Sequence, residues 1–212
     1  MPIDFSLKVA HPLYQDLIVE TIENLAQMYP AAPLRKVLVY LQESAKNCAD
    51  CANRSLGDAT EPGAIRLNGY WFSKPPSALY SAGEADDFMP NLPKIRWHGG
   101  LPQPGQVMVH EFFHILRDGL GQDAEEFSKE MWLKATSEPE IVFSGYSLYN
   151  PSEWWAESGA ALVLGENSNP QVIALAKFLT AIIAKDGTEG LTIPFDPSKH
   201  PRGPGGEFRK GH

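Results

Sequence analysis

Apolar residues recur at helical spacing over residues 12–29, and Pro30 follows the last of them. This periodicity predicts an amphipathic helix that ends before the proline. The pattern then changes to short runs rich in β-branched and aromatic residues, which predict β-strands. The three predicted strands are LRKVLVYLQ (34–42), GAIRLNGYWF (63–72) and PKIRWHGG (93–100).

The second half of the chain has helical patterns instead. Gly119 follows the first of them, and glycine commonly ends helices. The third is predicted to begin with Asn150 as its N-cap and Pro151 at its first position. The last is apolar on most sides, which predicts a buried helix. The four predicted helices cover 106–118, 124–136, 150 onward and 170–185.

A helix and strands followed by helices predict an α+β fold of two lobes, a small N-terminal sheet lobe and a helical C-terminal lobe. The 212 residues are enough for one compact domain with a core. We expect this domain to cover 1–189, with its lobes at about 1–104 and about 105–189. Residues 190–212 are rich in proline and glycine without periodicity, which predicts an irregular tail.

The charge of the chain argues against nucleic acid as a partner. The 18 Lys and Arg residues are outnumbered by 26 Asp and Glu residues, for a net charge of −8.

No apolar run approaches the roughly 20 residues of a membrane span. The N-terminus has no basic leader followed by an apolar block, so we expect no classical signal peptide. The expected location is the cytoplasm, or the exterior by a non-classical secretion system.

Cys48 and Cys51 are the two cysteines of the chain. They are compatible with a local disulfide, a redox pair or half of a metal site. The surrounding LQESAKNCADCANRSLG does not have the strand-then-helix pattern of a thioredoxin-like motif. We therefore assign this pair no catalytic role.

The segment GQVMVHEFFHILRDGLG (105–121) places His110 and His114 four residues apart, with Glu111 beside the first. Residues i and i+4 share one face of a helix, so both imidazoles can bind one zinc ion. Glu111 lies about 100° further round the helix. From there it can serve as a general base toward a zinc-bound water. The alternative is that both histidines are ordinary core residues.

A zinc peptidase needs a third protein ligand. The metzincin pattern HExxHxxGxxH is excluded, because Arg117 occupies its glycine position and Leu120 its third histidine position. His200 and His212 lie in the predicted tail and are weak candidates.

The segment GYSLYNPSEWWAESGAAL (145–162) contains Glu153 and Glu157, one helical turn apart. One of them can bind the metal while the other orients a ligand histidine. Both also have ordinary interpretations. Glu153 is three residues after Asn150, where a capping partner belongs, and Glu157 fits a solvated helix position.

Taken together, HEFFH and GYSLYNPSEWWAES resemble the anthrax lethal-factor-like zinc metallopeptidases, a family that also includes secreted Pro-Pro endopeptidases. Members pair an HExxH helix with a later helix of the form Glu-aromatic-aromatic-Ala-Glu, and a tyrosine precedes its first glutamate by seven residues. Here residues 153–157 match that helix, and Tyr146 has the seven-residue offset. The resemblance covers roughly residues 105–165 and leaves the first hundred residues undefined.

This resemblance implies a gluzincin-type, zincin-like catalytic domain with zinc between its two lobes. The roles that the resemblance implies are zinc ligand for His110, His114 and Glu153, general base for Glu111, and oxyanion donor for Tyr146. Tyr149 is the alternative candidate for the oxyanion donor.

Zinc peptidases of this shape commonly bind the substrate chain as an added strand at a sheet edge. GYWF (69–72) and KIRWHG (94–99) are the two candidate edges. The leading hypothesis is a zinc-dependent endopeptidase acting on a protein or peptide, of the kind found among bacterial toxins and secreted effectors. The alternatives are a catalytically silent metal-binding or protein-interaction domain of the same fold, and a structural domain without metal.

Overall fold

A computed structural model describes residues 2–40, 56–59, 61–75, 104–138, 144–163, 165 and 168–185. Over these ranges the protein is mostly helical with one four-stranded sheet, which confirms the predicted α+β class. The zincin-like arrangement of two lobes and the domain limits stay predictions. The predictions for residues 93–100, Cys48, Cys51, His200, His212 and the tail lie outside the described residues.

The sheet consists of β1 (Asp4–Ser6), β2 (Lys36–Tyr40), β3 (Gly57–Asp58) and β4 (Ala64–Asn68) in the order β1-β2-β4-β3. β1 and β2 are parallel, as are β2 and β4. β3 runs antiparallel to β4, with Gly57 opposite Leu67. β3 is therefore the outermost of the four described strands on its side of the sheet.

Six α-helices are described, together with a 3₁₀ turn at Tyr146–Leu148. Their bounds agree closely with the predicted helices, apart from α2, which was not predicted. No described helix is both long and apolar enough to cross a membrane. The helices are α1 (Pro12–Met28), α2 (Gly69–Phe72), α3 (Pro104–Leu120), α4 (Gln122–Ser137), α5 (Pro151–Val163) and α6 (Pro170–Lys185).

The strand predicted at 63–72 ends at Asn68, and GYWF is the short helix α2. The Asn68 side chain accepts a hydrogen bond from the Tyr70 N–H at 3.0 Å and so caps this helix. Trp71 and Phe72 are buried in the core. GYWF is thus not a sheet edge, which excludes it as one of the two candidate edges for substrate binding.

The prediction that Gly119 ends the helix after HEFFH was also wrong. α3 continues to Leu120, and Gly121 follows with a φ of 65°. Gly119 is needed for a different reason. A Cβ at this position would lie 2.1 Å from the Ala31 carbonyl oxygen, so the missing side chain lets α3 pack directly on the chain after α1.

α6 has the predicted bounds but is buried on one face instead of most sides. Val172, Leu175 and Leu179 are buried, whereas Ile173 is 36% exposed. The reason is its place in the fold: the contacts of α6 run chiefly to α5, so the opposite face meets solvent.

α3 packs against α1, α5 and strands β3 and β4. Its contact with α5 is close, since a Cβ at Gly159 would lie 2.0 Å from the Phe113 ring. Trp155 adds a buried hydrogen bond from its indole N–H to the Phe113 carbonyl oxygen at 2.8 Å. These contacts hold the HEFFH helix against the helix that begins with Glu153.

Candidate metal centre

His110 and His114 lie on successive turns of α3, on the side that faces the first turn of α5. α5 begins as predicted, because Asn150 Oδ1 accepts from the Glu153 N–H at 2.9 Å. This cap fixes the backbone at Glu153 and leaves its carboxylate to point elsewhere. The structure brings all three predicted ligands, His110, His114 and Glu153, into one cluster.

The spacing within this cluster is compatible with a metal ion. His110 Nε2 lies 3.2 Å from His114 Nε2 and 3.1 Å from Glu153 Oε2, and the third separation is 3.5 Å. A tetrahedral zinc ion with bonds of 2.0–2.1 Å keeps its ligand atoms about 3.3 Å apart. The three side chains could therefore hold a metal ion with little rearrangement.

Hydrogen bonds behind the histidines direct their Nε2 atoms toward the centre. His110 Nδ1 lies 2.8 Å from Glu157 Oε1, and His114 Nδ1 lies 2.9 Å from Ser152 Oγ. A carboxylate only accepts hydrogen bonds, so His110 donates from Nδ1, and when the ring is neutral its lone pair is on Nε2. Glu157 thus occupies the orienting position that sequence reasoning left open between the two glutamates.

The charges around the centre favour a cation. Glu153 Oε2 is buried, and both imidazoles are near it. Neither imidazole is aligned to form a hydrogen bond with this oxygen. Burial raises the pKa of Glu153, but the two histidines outweigh it and lower that pKa to about 2. Burial lowers the pKa of His110, but the Glu153 and Glu157 carboxylates raise it to about 10. The centre thus stabilises positive charge, whether a proton or a metal ion brings it.

Glu111 is 7% exposed and lies next to the cluster without belonging to it. Burial raises its pKa, against the opposing effect of His110 and His114. A Cβ at Gly57 of β3 would lie 3.0 Å from Glu111 Cγ, so the carboxylate lies directly beside the outermost strand. A carboxylate with a raised pKa beside a candidate metal site is suited to accept a proton.

Tyr146 lies over the centre, in the 3₁₀ turn that precedes α5. Its ring stacks on the His110 imidazole, with centroids 5.8 Å apart and an interplanar angle of 27°. Burial raises the Tyr146 pKa, and the charge of Glu153 raises it further, so the phenol stays neutral and can donate. Tyr149 stacks on Tyr146 and is 66% exposed, which favours Tyr146 of the two candidates.

Two residues of the centre were missed from the sequence. Ser152 contacts His114, and Ser144 donates from Oγ to Glu157 Oε2 at 2.6 Å. Ser152 lies within the segment that carries the resemblance but has no role in it, and Ser144 is 13 residues before its partner. Their positions became evident from the packing of α5 on α3.

No family model matches this chain, and no curated protein or solved structure is significantly similar to it. The resemblance to lethal-factor-like metallopeptidases therefore stays a prediction, which rests on the residues of the centre.

Proposed function

We propose that this protein is a zinc-dependent endopeptidase with His110, His114 and Glu153 as its zinc ligands. The observation that supports it most is the convergence of three Lewis-basic atoms at 3.1–3.5 Å, with Glu111 beside them. Two imidazoles and one carboxylate form a ligand set that zinc hydrolases use, with a fourth position left for water. When bound, zinc polarises the scissile carbonyl and lowers the pKa of a water to about 7.

In this proposal, Glu111 takes the proton of the attacking water and passes it to the leaving amine. Its side chain is next to the ligands but has no part in the cluster, as a general base requires. Tyr146 donates its hydroxyl hydrogen to the carbonyl oxygen of the substrate as negative charge develops there. Its neutral state makes it a donor over the whole physiological range of pH.

The position of β3 suggests how a peptide would bind. β3 pairs with β4 on one side, and none of the described strands pairs with its other side. The Glu111 side chain lies beside Gly57 of β3. A substrate chain added to the other side of β3 would therefore run past Glu111. β3 thus takes the place of the GYWF edge that the structure excludes.

The test is incubation of the zinc-loaded protein with a broad peptide library, with and without a zinc chelator, and identification of cleavage sites by mass spectrometry. We expect cleavage that the chelator and Glu111→Gln both abolish. Glu130→Gln is the matched control, since Glu130 is an exposed glutamate on α4, and we expect it to retain activity. A zinc-bound wild type that cleaves no peptide would favour the silent metal-binding domain. A wild type that binds no zinc would exclude both the endopeptidase and the silent metal-binding domain.

A further inference from the structure

Ser144 connects two parts of the centre that lie on different elements. Its Oγ donates to Glu157 Oε2 at 2.6 Å and accepts from the Tyr146 backbone N–H at 3.2 Å. The other oxygen of Glu157 accepts from His110 Nδ1 at 2.8 Å. A continuous hydrogen-bonded chain therefore runs from the Tyr146 backbone to the His110 imidazole.

This hydrogen-bonded chain is shielded from solvent, which makes each of its hydrogen bonds costly to lose. Ser144 is 2% exposed and Glu157 is 1% exposed. A buried carboxylate oxygen that loses its donor cannot turn to water instead, so the Glu157 side chain would have to shift. This shift would move the acceptor that fixes the His110 ring.

Tyr146 reaches His110 by a second route, because its ring stacks directly on the imidazole. The backbone of Tyr146 is thus held through Ser144 and Glu157, while its ring is held by His110 itself. These two routes close a cycle of contacts through four residues. A displacement of the His110 ring and a displacement of the Tyr146 hydroxyl are coupled in this arrangement.

We propose that Ser144 is a positioning residue whose hydroxyl holds the oxyanion donor Tyr146 and the ligand His110 in one shared arrangement. This inference rests on the proposed function, because Tyr146 and His110 take their roles from it. Ser144 does not itself touch substrate or metal. It ensures that the donor is in place when the ligand is correctly oriented.

Two nearby serines provide matched controls. Ser152 holds the other histidine through Nδ1, so Ser152→Ala removes one orienting bond without touching the Tyr146 backbone. Ser147 is fully buried in the same segment and donates to the Ser144 carbonyl oxygen at 2.6 Å. Ser147→Ala therefore removes a buried hydroxyl from the segment but leaves the chain between Tyr146 and His110 intact.

The first measurement is amide hydrogen exchange by NMR in the metal-free protein, which requires no activity. We expect Ser144→Ala to speed exchange at the Tyr146 amide, with the Tyr149 amide still protected by its bond to the Tyr146 carbonyl oxygen. Ser152→Ala should leave both amides as in the wild type. Unchanged protection of the Tyr146 amide in Ser144→Ala would overturn the proposal.

The second measurement is zinc affinity by chelator competition. Ser144→Ala and Ser152→Ala should each weaken zinc binding by about 10–100-fold, the usual loss for a residue that orients a ligand. Ser147→Ala should bind zinc as the wild type does. Equal losses in Ser144→Ala and Ser147→Ala would mean that Ser144 merely orders the segment, and the proposal would fail.

The third measurement is a double-mutant cycle on peptide cleavage at saturating zinc. We expect Ser144→Ala to lower kcat with little change in KM. Adding Tyr146→Phe to Ser144→Ala should lower kcat further by less than about tenfold. In the Ser152→Ala background, Tyr146→Phe should keep its full effect. Additivity in both cycles would overturn the coupling. A wild type that cleaves nothing would instead contradict the proposed function, while the exchange measurement would still decide the role of Ser144.

Discussion

Glu111 and His110 are adjacent on α3 but have separate roles, which a pair of substitutions can distinguish. We expect Glu111→Gln to reduce peptide cleavage by at least about 10²-fold, the lower range for losing a general base. Zinc content should stay near one ion per chain, because Glu111 lies outside the ligand cluster. His110→Ala should lose the zinc itself. Metal analysis of the purified variants together with cleavage rates measures both effects.

If Glu111→Gln lost zinc as fully as His110→Ala, Glu111 would be a ligand or a structural residue, and the proposed chemistry would be wrong. Glutamine is the suitable replacement here. It keeps the size of a side chain that is packed against Gly57 and removes its capacity to accept a proton.

Tyr146→Phe should lower kcat by about 10²–10³-fold, the typical loss for one oxyanion donor. KM should change little, because in the proposed mechanism the hydroxyl contacts an oxygen whose charge appears in the transition state. The ring that stacks on His110 is retained, so the zinc ligands should keep their positions. Steady-state kinetics on one cleaved peptide checks the result, with Tyr149→Phe as the matched control. A slow Tyr149→Phe beside a normal Tyr146→Phe would reverse the assignment.

The sequence predicted His110, His114 and Glu111 because their relation is local. Two histidines one turn apart share a helix face whatever the rest of the fold does. Glu153 and Glu157 were found as a pair, but the sequence did not separate their roles without the resemblance. The roles of the two glutamates depend on how α5 crosses α3, and so does the role of Ser144, which belongs to no sequence motif.

At the scale of elements, the close contact between α3 and α5 keeps the ligands together. Gly159→Ala would place a methyl group 2.0 Å from the Phe113 ring. We expect it to lower the free energy of unfolding by about 1–3 kcal/mol, as overpacking of a core does. It should also weaken zinc binding, because α5 would have to move away from the helix that holds both histidines. Denaturant unfolding and chelator competition measure the two effects.

Gly121→Ala is the matched control for this prediction. Gly121 has a φ of 65°, and a Cβ there would meet nothing within 4 Å. The cost is therefore backbone strain, about 1–3 kcal/mol, without any push between α3 and α5. Comparable losses of stability with unequal losses of zinc affinity would support the role of helix contact. Equal zinc affinities in the two variants would contradict it.

The long helices were predictable because their apolar periodicity extends over several turns, whereas the short elements were not. β1 has three residues and β3 has two, which is too few to show alternation. α2 was mistaken for the end of a strand, since Tyr70, Trp71 and Phe72 are residue types that favour strands. The cap from Asn68 and the burial of Trp71 and Phe72 outweighed that preference.

At the scale of the whole molecule, the centre connects the sheet side, through Glu111 and β3, with helices α3 and α5. Its buried charges make the stability of the protein depend on what occupies it. In the metal-free protein the pKa of His110 is about 10, above its ordinary value of 6.5. A raised pKa means that the protonated histidine stabilises the fold fully below about pH 6.5, and that this stabilisation is lost as the pH rises toward 10.

In the proposed function, zinc and this proton compete for the same position, because a ligand histidine must give up its Nε2 proton to bind the metal. We therefore expect the increase in Tm that zinc produces over the chelator-treated protein to grow between about pH 6 and about pH 9. Rising pH removes the stabilising proton from the metal-free form and strengthens zinc binding, so both changes act in the same direction. Differential scanning fluorimetry with excess zinc or excess chelator measures the increase at each pH. His110→Ala should abolish it, since both the proton site and the ligand are removed. An increase that is independent of pH over this range would show that the metal binds elsewhere than at His110.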